Sequence, residues 1–181
     1  MSRKIRGDGG CGHLGMTDAG TKAEVLDVIP IATAVITSGT EADPAGFTGS
    51  VWGEPRNPGW LAVPVSAGSS TLPVIVATGR LGVNVLGERA RPLVGAFARR
   101  VDTSARRFDG VAWTFGNGVP VLSGAVAWFA CTLDSVVPFG GYQMMMCRVE
   151  HSEICSQEPP LVWVSGQGVP AGTAPTTETD R

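Results

Sequence analysis

Phe108-Asp109-Gly110-Val111-Ala112-Trp113, then Gly118-Val119-Pro120-Val121-Leu122-Ser123-Gly124-Ala125, then Ala127-Trp128-Phe129-Ala130-Cys131 is the stretch that decides the fold. Short apolar runs are broken by glycine and proline at intervals too short for a helical bundle, a pattern suited to strands joined by tight turns. The whole chain leans the same way, with 25 glycines and 13 prolines in 181 residues. Thr78-Gly79-Arg80-Leu81-Gly82-Val83-Asn84-Val85-Leu86 stands upstream, and Gly140-Gly141-Tyr142 stands downstream.

Working outward, Val126, Trp128, Ala130 and Thr132 alternate with Ala127, Phe129, Cys131 and Leu133, the period-2 signature of a strand over residues 126–134. Further strands are expected over 29–37, 45–50, 81–86, 142–149 and 161–164. Residues 60–66 are apolar throughout, as in a strand covered on both faces. Helices are expected over 71–78, where Pro73 falls in the first turn and removes no helical hydrogen bond, and over 89–99, where Leu93, Ala96 and Phe97 share one face. Seven or eight short strands with two or three small helices predict a mainly β (α+β) barrel. Its domain spans 23–168, between a glycine-rich leader at 1–22 and a polar tail at 169–181.

Composition excludes several classes. A formal net charge of −2 leaves no footprint for nucleic acid or an anionic membrane, and no apolar run reaches the roughly 18 to 20 residues of a membrane span. A cytoplasmic protein is expected. Cys11, Cys131, Cys147 and Cys155 form no CxxC pair and only two histidines accompany them, which argues against zinc; Cys131 and Cys147 read as buried small hydrophobes. His151 is expected in a solvated turn just past a strand, and Met144-Met145-Met146 as a mixture of core and lining. No GxxxxGK[ST] loop, no GxGxxG and no Gly-x-Ser-x-Gly elbow occurs.

Taken together, these signposts and their order resemble the flavin reductase-like family of FMN-binding split β-barrels. The resemblance implies a homodimer, FMN or FAD as cofactor, NADH or NADPH as co-substrate, and a separate monooxygenase as possible recipient of reduced flavin. Family members carry a Gly-(Met or Phe)-Thr segment leading into a serine-rich loop on the flavin. Here Gly46-Phe47-Thr48-Gly49-Ser50 matches it, making Thr48 and Ser50 candidate donors to ribityl or phosphate oxygens. Trp52 is then the candidate ring contact, with Arg56 as a replacement cation for the phosphate. Ser69, Ser70 and Thr71 correspond to a second phosphate segment, and Asn84 to a residue supporting the cleft.

The chain departs from the family where many members read Gly-Asp-His. Gly140-Gly141-Tyr142 offers a neutral phenol in place of an imidazole, so Tyr142 is the first catalytic candidate and Glu54 the second. A different function remains open beside flavin reduction. The same barrel, lined by Trp52, Tyr142 and methionines, would suit a non-redox cyclisation or isomerisation of an apolar small molecule, with Tyr142 or Glu54 as acid or base.

Overall fold

The computed structural model describes residues 29–99, 104–164 and 167–171, together with Leu26. Its strands are β1 (Ile31–Gly39), β2 (Pro44–Ser50), β3 (Trp52–Gly53), β4 (Trp60–Ser66), β5 (Arg80–Leu86), β6 (Trp113–Gly116), β7 (Val119–Leu122), β8 (Ala125–Phe139), β9 (Tyr142–Ile154), β10 (Leu161–Val164) and β11 (Gln167–Pro170). Two helices, α1 (Leu72–Thr78) and α2 (Arg91–Ala98), lie among them, with short 3-10 turns at Glu88–Ala90 and Ser104–Phe108. No helix among the described residues is long and apolar enough to cross a membrane.

Nine strands form one antiparallel sheet in the order β11-β10-β1-β5-β8-β9-β4-β3, with β2 also paired to β1; β6 and β7 form a separate hairpin. The sheet curls on itself. Ala34 and Ile36 of β1 share a core with Leu61, Val63 and Val65 of β4, although three strands, β5, β8 and β9, stand between them in the sheet order. Only a barrel-like closure brings them together, and burying these side chains stabilises it by about 1.5–3 kcal/mol for each large one. β1 serves a second core as well, because its alternate residue Val35 points the other way, toward Leu86, Phe97, Phe108, Leu122 and Leu161. There the Phe97 and Phe108 rings meet edge to face at 5.0 Å, and Phe108 meets Trp113 at 5.4 Å. The opening stretch of sequence thus clamps α2 onto the outside of the barrel.

Two expectations are corrected. Eleven strands appear among the described residues rather than seven or eight short ones, and β8 and β9 are long. Their ladder runs from Ala127 opposite Ile154 to Phe139 opposite Tyr142, so β8 continues past Asp134 and β9 past Val149. Gly140, at φ +58°, makes the two-residue turn that joins them. His151 consequently sits within β9 rather than in a turn, with its ring centred 4.8 Å from that of Trp128. At the other end, β11 runs to Pro170. The leader at 1–22 and the tail beyond 171 lie outside the described residues.

Candidate functional site

Two cavities of about 310 Å³ each share Ile31 of β1 and Ser50 of β2 as a common wall. The first opens on the outer face of β4 and β9. Register dictates its lining: Trp52 lies opposite Ala62, Ala62 opposite Met146, Pro64 opposite Met144, and Ser66 opposite Tyr142. Residues directly opposite share a face. Trp52, Ala62, Pro64, Met144 and Tyr142 therefore face outward, while Leu61, Val63, Val65, Met145 and Cys147 fill the barrel. The methionine run divides as expected, with Met145 fully buried and Met144 and Met146 half-buried on the outer face.

Trp52 is 62 % exposed and Tyr142 50 % exposed, which is costly for aromatic rings without a covering partner and normal for rings that bind one. The Tyr142 turn is held against the loop after β4 by a hydrogen bond from the Ala67 amide to the Gly141 carbonyl, 3.0 Å. An outward strip thus runs from Ser50 and Trp52 through Pro64 and Met144 to Tyr142 and the loop carrying Ser69 and Ser70. Ser50 is half-buried, and its hydroxyl has no partner among the described residues.

The second cavity lies between α2 and the edge of β1 and β2. Ile31 and Trp163, opposite each other in the β1–β10 ladder, form one wall, and Val94 and Ala98, one helical turn apart on α2, form the other. Thr33, Thr48 and Gly49 line it between them.

The structure separates the remaining candidates. Thr48 lines the second cavity, but its hydroxyl already donates to the Val94 carbonyl at 2.7 Å, tying β2 to α2. Gly46 allows that approach, since a Cβ there would sit 3.0 Å from the Phe97 ring and from the Ile36 carbonyl. Glu54 and Arg56 are exposed in the loop after β3, where the Glu54 carboxylate accepts the Arg56 backbone amide at 3.1 Å. Ser69 accepts the Thr71 amide at 3.3 Å, while Ser70 is exposed.

Two assignments from sequence need correction. Thr71 is fully buried with its hydroxyl unpartnered, so it does not reach the surface where a phosphate would lie. Asn84 is 1 % exposed, and its amide is spent inside the protein, donating to the Val35 carbonyl and Thr37 hydroxyl and accepting the Leu122 amide. Glu54 and Tyr142, the two alternative acid–base candidates, lie far apart. Gly53, next to Glu54, pairs with Leu61, and Tyr142 pairs with Ser66, so five strand steps or roughly 17 Å divide them.

Arg107 escaped the sequence reading. It is 9 % exposed and donates to the Gly46 carbonyl at 2.8 Å and the Arg99 carbonyl at 3.2 Å, bracing the start of the Gly46-Phe47-Thr48 segment. Burial, and then the nearby Arg99 charge, pull its pKa below the usual arginine value. The cysteines sort by depth. Burial pushes the Cys131 and Cys147 thiols up to about 12, whereas Cys155 is exposed. In a Cys11→Ser variant of the native protein at pH 8, a colorimetric disulfide reagent is expected to titrate Cys155 and leave Cys131 and Cys147 untouched until denaturant is added. Early reaction of either buried thiol would mean that the barrel opens. Their raised values also set a pH window, because the unfolded chain sheds these protons first. Stability fully present below about pH 9 is therefore lost as pH rises toward 12.

Comparison with known proteins places this geometry. Residues 26–171 match the family model described as flavin reductase like domain. The FMN reductase (NADH) RutF of Cronobacter sakazakii is 32 % identical over 142 residues, which cover 77 % of this chain and 85 % of that protein. Among solved structures, the styrene monooxygenase flavin reductase of Pseudomonas putida S12 superposes with a TM-score of 0.70 at 25 % identity, over 82 % of this chain and 95 % of that one. The NADH:FAD oxidoreductase of Streptomyces globisporus, solved with NAD and FAD fragments, reaches a TM-score of 0.75 at 21 % identity, over 86 % and 93 % of the two chains, a likeness of fold alone.

Proposed function

This chain belongs to the flavin reductase-like family, and we propose that it is an NADH- or NADPH-dependent flavin reductase that supplies reduced FMN or FAD to a separate monooxygenase. The observation that carries the reading is the outward strip, where an exposed tryptophan, a half-buried hydroxyl without a partner and a methionine edge converge on one cavity. Those residues fit a flavin. Trp52 gives a flat apolar face, Met144 and Pro64 a shaped floor, Ser50 a donor, and Arg56 a solvent-facing cation toward the phosphate. A flavin held by these residues would supply the hydride-accepting chemistry toward a reduced nicotinamide.

The protein's own part is to bind and orient. Ser50, fixed in the β2 ladder opposite Thr33, holds a hydrogen bond at a set place on the rim. Trp52 and the floor exclude water from one ring face. Tyr142, near the far end of the strip, offers a neutral phenol donor where many relatives carry an imidazole. The homodimer expectation draws support from the end of β8. Asp134–Phe139 is exposed along its length and displays Val136, Val137 and Phe139, so a second copy is the natural cover.

Purified flavin-free protein titrated with FMN and then FAD is expected to quench flavin fluorescence saturably at micromolar concentration or below. NADH consumption at 340 nm should then follow added flavin. Tyr142→Phe is expected to lower turnover several-fold with little change in flavin affinity, because it removes one donor and keeps the ring. Unchanged turnover removes the polar role of Tyr142. No saturable flavin binding overturns the reductase reading in favour of a non-redox barrel enzyme.

A further inference from the structure

We infer that Arg107 is a positioning residue for flavin binding, because its buried guanidinium ties β2 to the end of α2 and so sets where Ser50 stands; the assignment rests on the flavin reading of the outward strip. The need for such a tie comes from the sheet. Among the described residues, β2 has a strand neighbour on one side alone, β1. The 3-10 turn Ser104–Phe108 and α2 pack against it. An edge strand carries main-chain groups that no neighbouring strand satisfies, so what covers it must supply hydrogen bonds as well as bulk.

Arg107 stands in that turn and bonds two segments at once. Its Nη1 donates to the Gly46 carbonyl of β2 at 2.8 Å, and its Nε donates at 3.2 Å to the carbonyl of Arg99, the residue that closes α2. Both acceptors are main-chain oxygens, and the planar guanidinium spans them with N–H groups whose directions are fixed relative to each other. Desolvation makes a buried cation costly, and these charge-assisted bonds offset it. Gly46, Thr48 and Ser50 are alternate positions of β2 and therefore lie on one face. Gly46 is tied to the end of α2 through Arg107, and Thr48 is tied to α2 directly by its bond to the Val94 carbonyl at 2.7 Å. Ser50 is the next position in the series, roughly 14 Å of strand beyond Gly46. Two ties fix both the distance and the tilt of β2 against α2, and Ser50 inherits them. Without Arg107 the strand is held to α2 at Thr48 alone, a single point about which it can swing, and Ser50 loses its set place. A group that only places a binding wall acts on bound flavin throughout the reaction, so its removal registers in affinity and leaves turnover at saturation in place.

Three variants of the full chain test this, each read by FMN fluorescence quenching, by NADH turnover at saturating FMN and by melting temperature. Arg107→Met keeps an unbranched side chain and removes both donors; it should raise the FMN dissociation constant about tenfold while turnover at saturation stays within about twofold. Arg107→Lys keeps the charge but has one nitrogen for two acceptors, so it should bind FMN about threefold more weakly than the parent. Asn84→Leu controls for stability alone, because it breaks bonds among β1, β5 and β7 and none between β2 and α2; well below its melting temperature it should bind FMN as the parent does. Parental affinity in Arg107→Met overturns the assignment. So does an equal loss of affinity in Asn84→Leu, which would reduce both effects to destabilisation. Should Arg107→Met fail to fold, Arg107→Lys carries the test, with a threefold loss expected and parental affinity overturning the two-point tie. Absence of FMN binding by the parent protein overturns the flavin reading and this role together, whereas a parent that binds FMN beside variants that bind it equally well overturns the role of Arg107 alone.

Discussion

Asn84→Leu is expected to lower the melting temperature by roughly 10 °C while leaving the contacts that line the flavin strip in place. Asn84 joins three strands from the interior: its Nδ2 donates to the Val35 carbonyl and the Thr37 hydroxyl at 3.2 Å each, and its Oδ1 accepts the Leu122 amide at 2.8 Å. Thr37 continues the chain by donating to the Pro120 carbonyl at 2.6 Å. β1, β5 and β7 are thereby held by one buried polar network in which the Asn84 amide and the Thr37 hydroxyl are both bonded. Leucine keeps the branched outline of asparagine, is bulkier and has none of its polarity, so the Leu122 amide is left buried and unpaired. Each such orphan costs about 1–3 kcal/mol and each lost bond about 1 kcal/mol more, for a total near 3–4 kcal/mol. In a chain of this length, 1 kcal/mol moves the midpoint by about 2–4 °C. Scanning calorimetry checks it. A shift below about 3 °C would mean the network contributes little, and a loss of FMN affinity larger than the loss of folded protein would return Asn84 to a ligand role.

Asn84 also shows where sequence stops being legible. The alternation in residues 126–134 and the glycine punctuation around 108–125 were enough to place a barrel, because strand period and turn chemistry are local properties. Which polar side chain faces a ligand is not local. Thr48 finds its acceptor 46 positions away in Val94, and Asn84 finds the Leu122 amide 38 positions away. Only the folded register reveals that both are already engaged. The ends of β8 and β9 were missed for a related reason: Asp134-Ser135 reads as a break in one strand, whereas the two strands support each other rung by rung down to Phe139 and Tyr142. Trp52, in contrast, was readable, because an aromatic residue in a glycine- and proline-rich loop lacks the alternation that would mark it as core.

Trp52→Ala is expected to raise the dissociation constant for FMN about ten- to a hundredfold with less than about 0.5 kcal/mol change in stability. The two effects separate because of where the ring sits. β3 is only two residues long, pairs on one side with β4, and leaves Trp52 62 % exposed, so folding buries little of its surface and truncation removes little from the core. A flavin lying on Met144 and Pro64 would cover that ring, and an aromatic platform under a planar heterocycle contributes about 1–3 kcal/mol, which is the stated range in affinity. Trp52→Phe should recover most of the binding, since a smaller ring still stacks, whereas Ser50→Ala should weaken FMN only several-fold through one neutral hydrogen bond. Equal affinity in Trp52→Ala and the parent, measured by flavin fluorescence, would move the isoalloxazine off the outer strip. The ordering of the three variants therefore tests the geometry of the site rather than the presence of flavin chemistry, which the NADH assay reads independently.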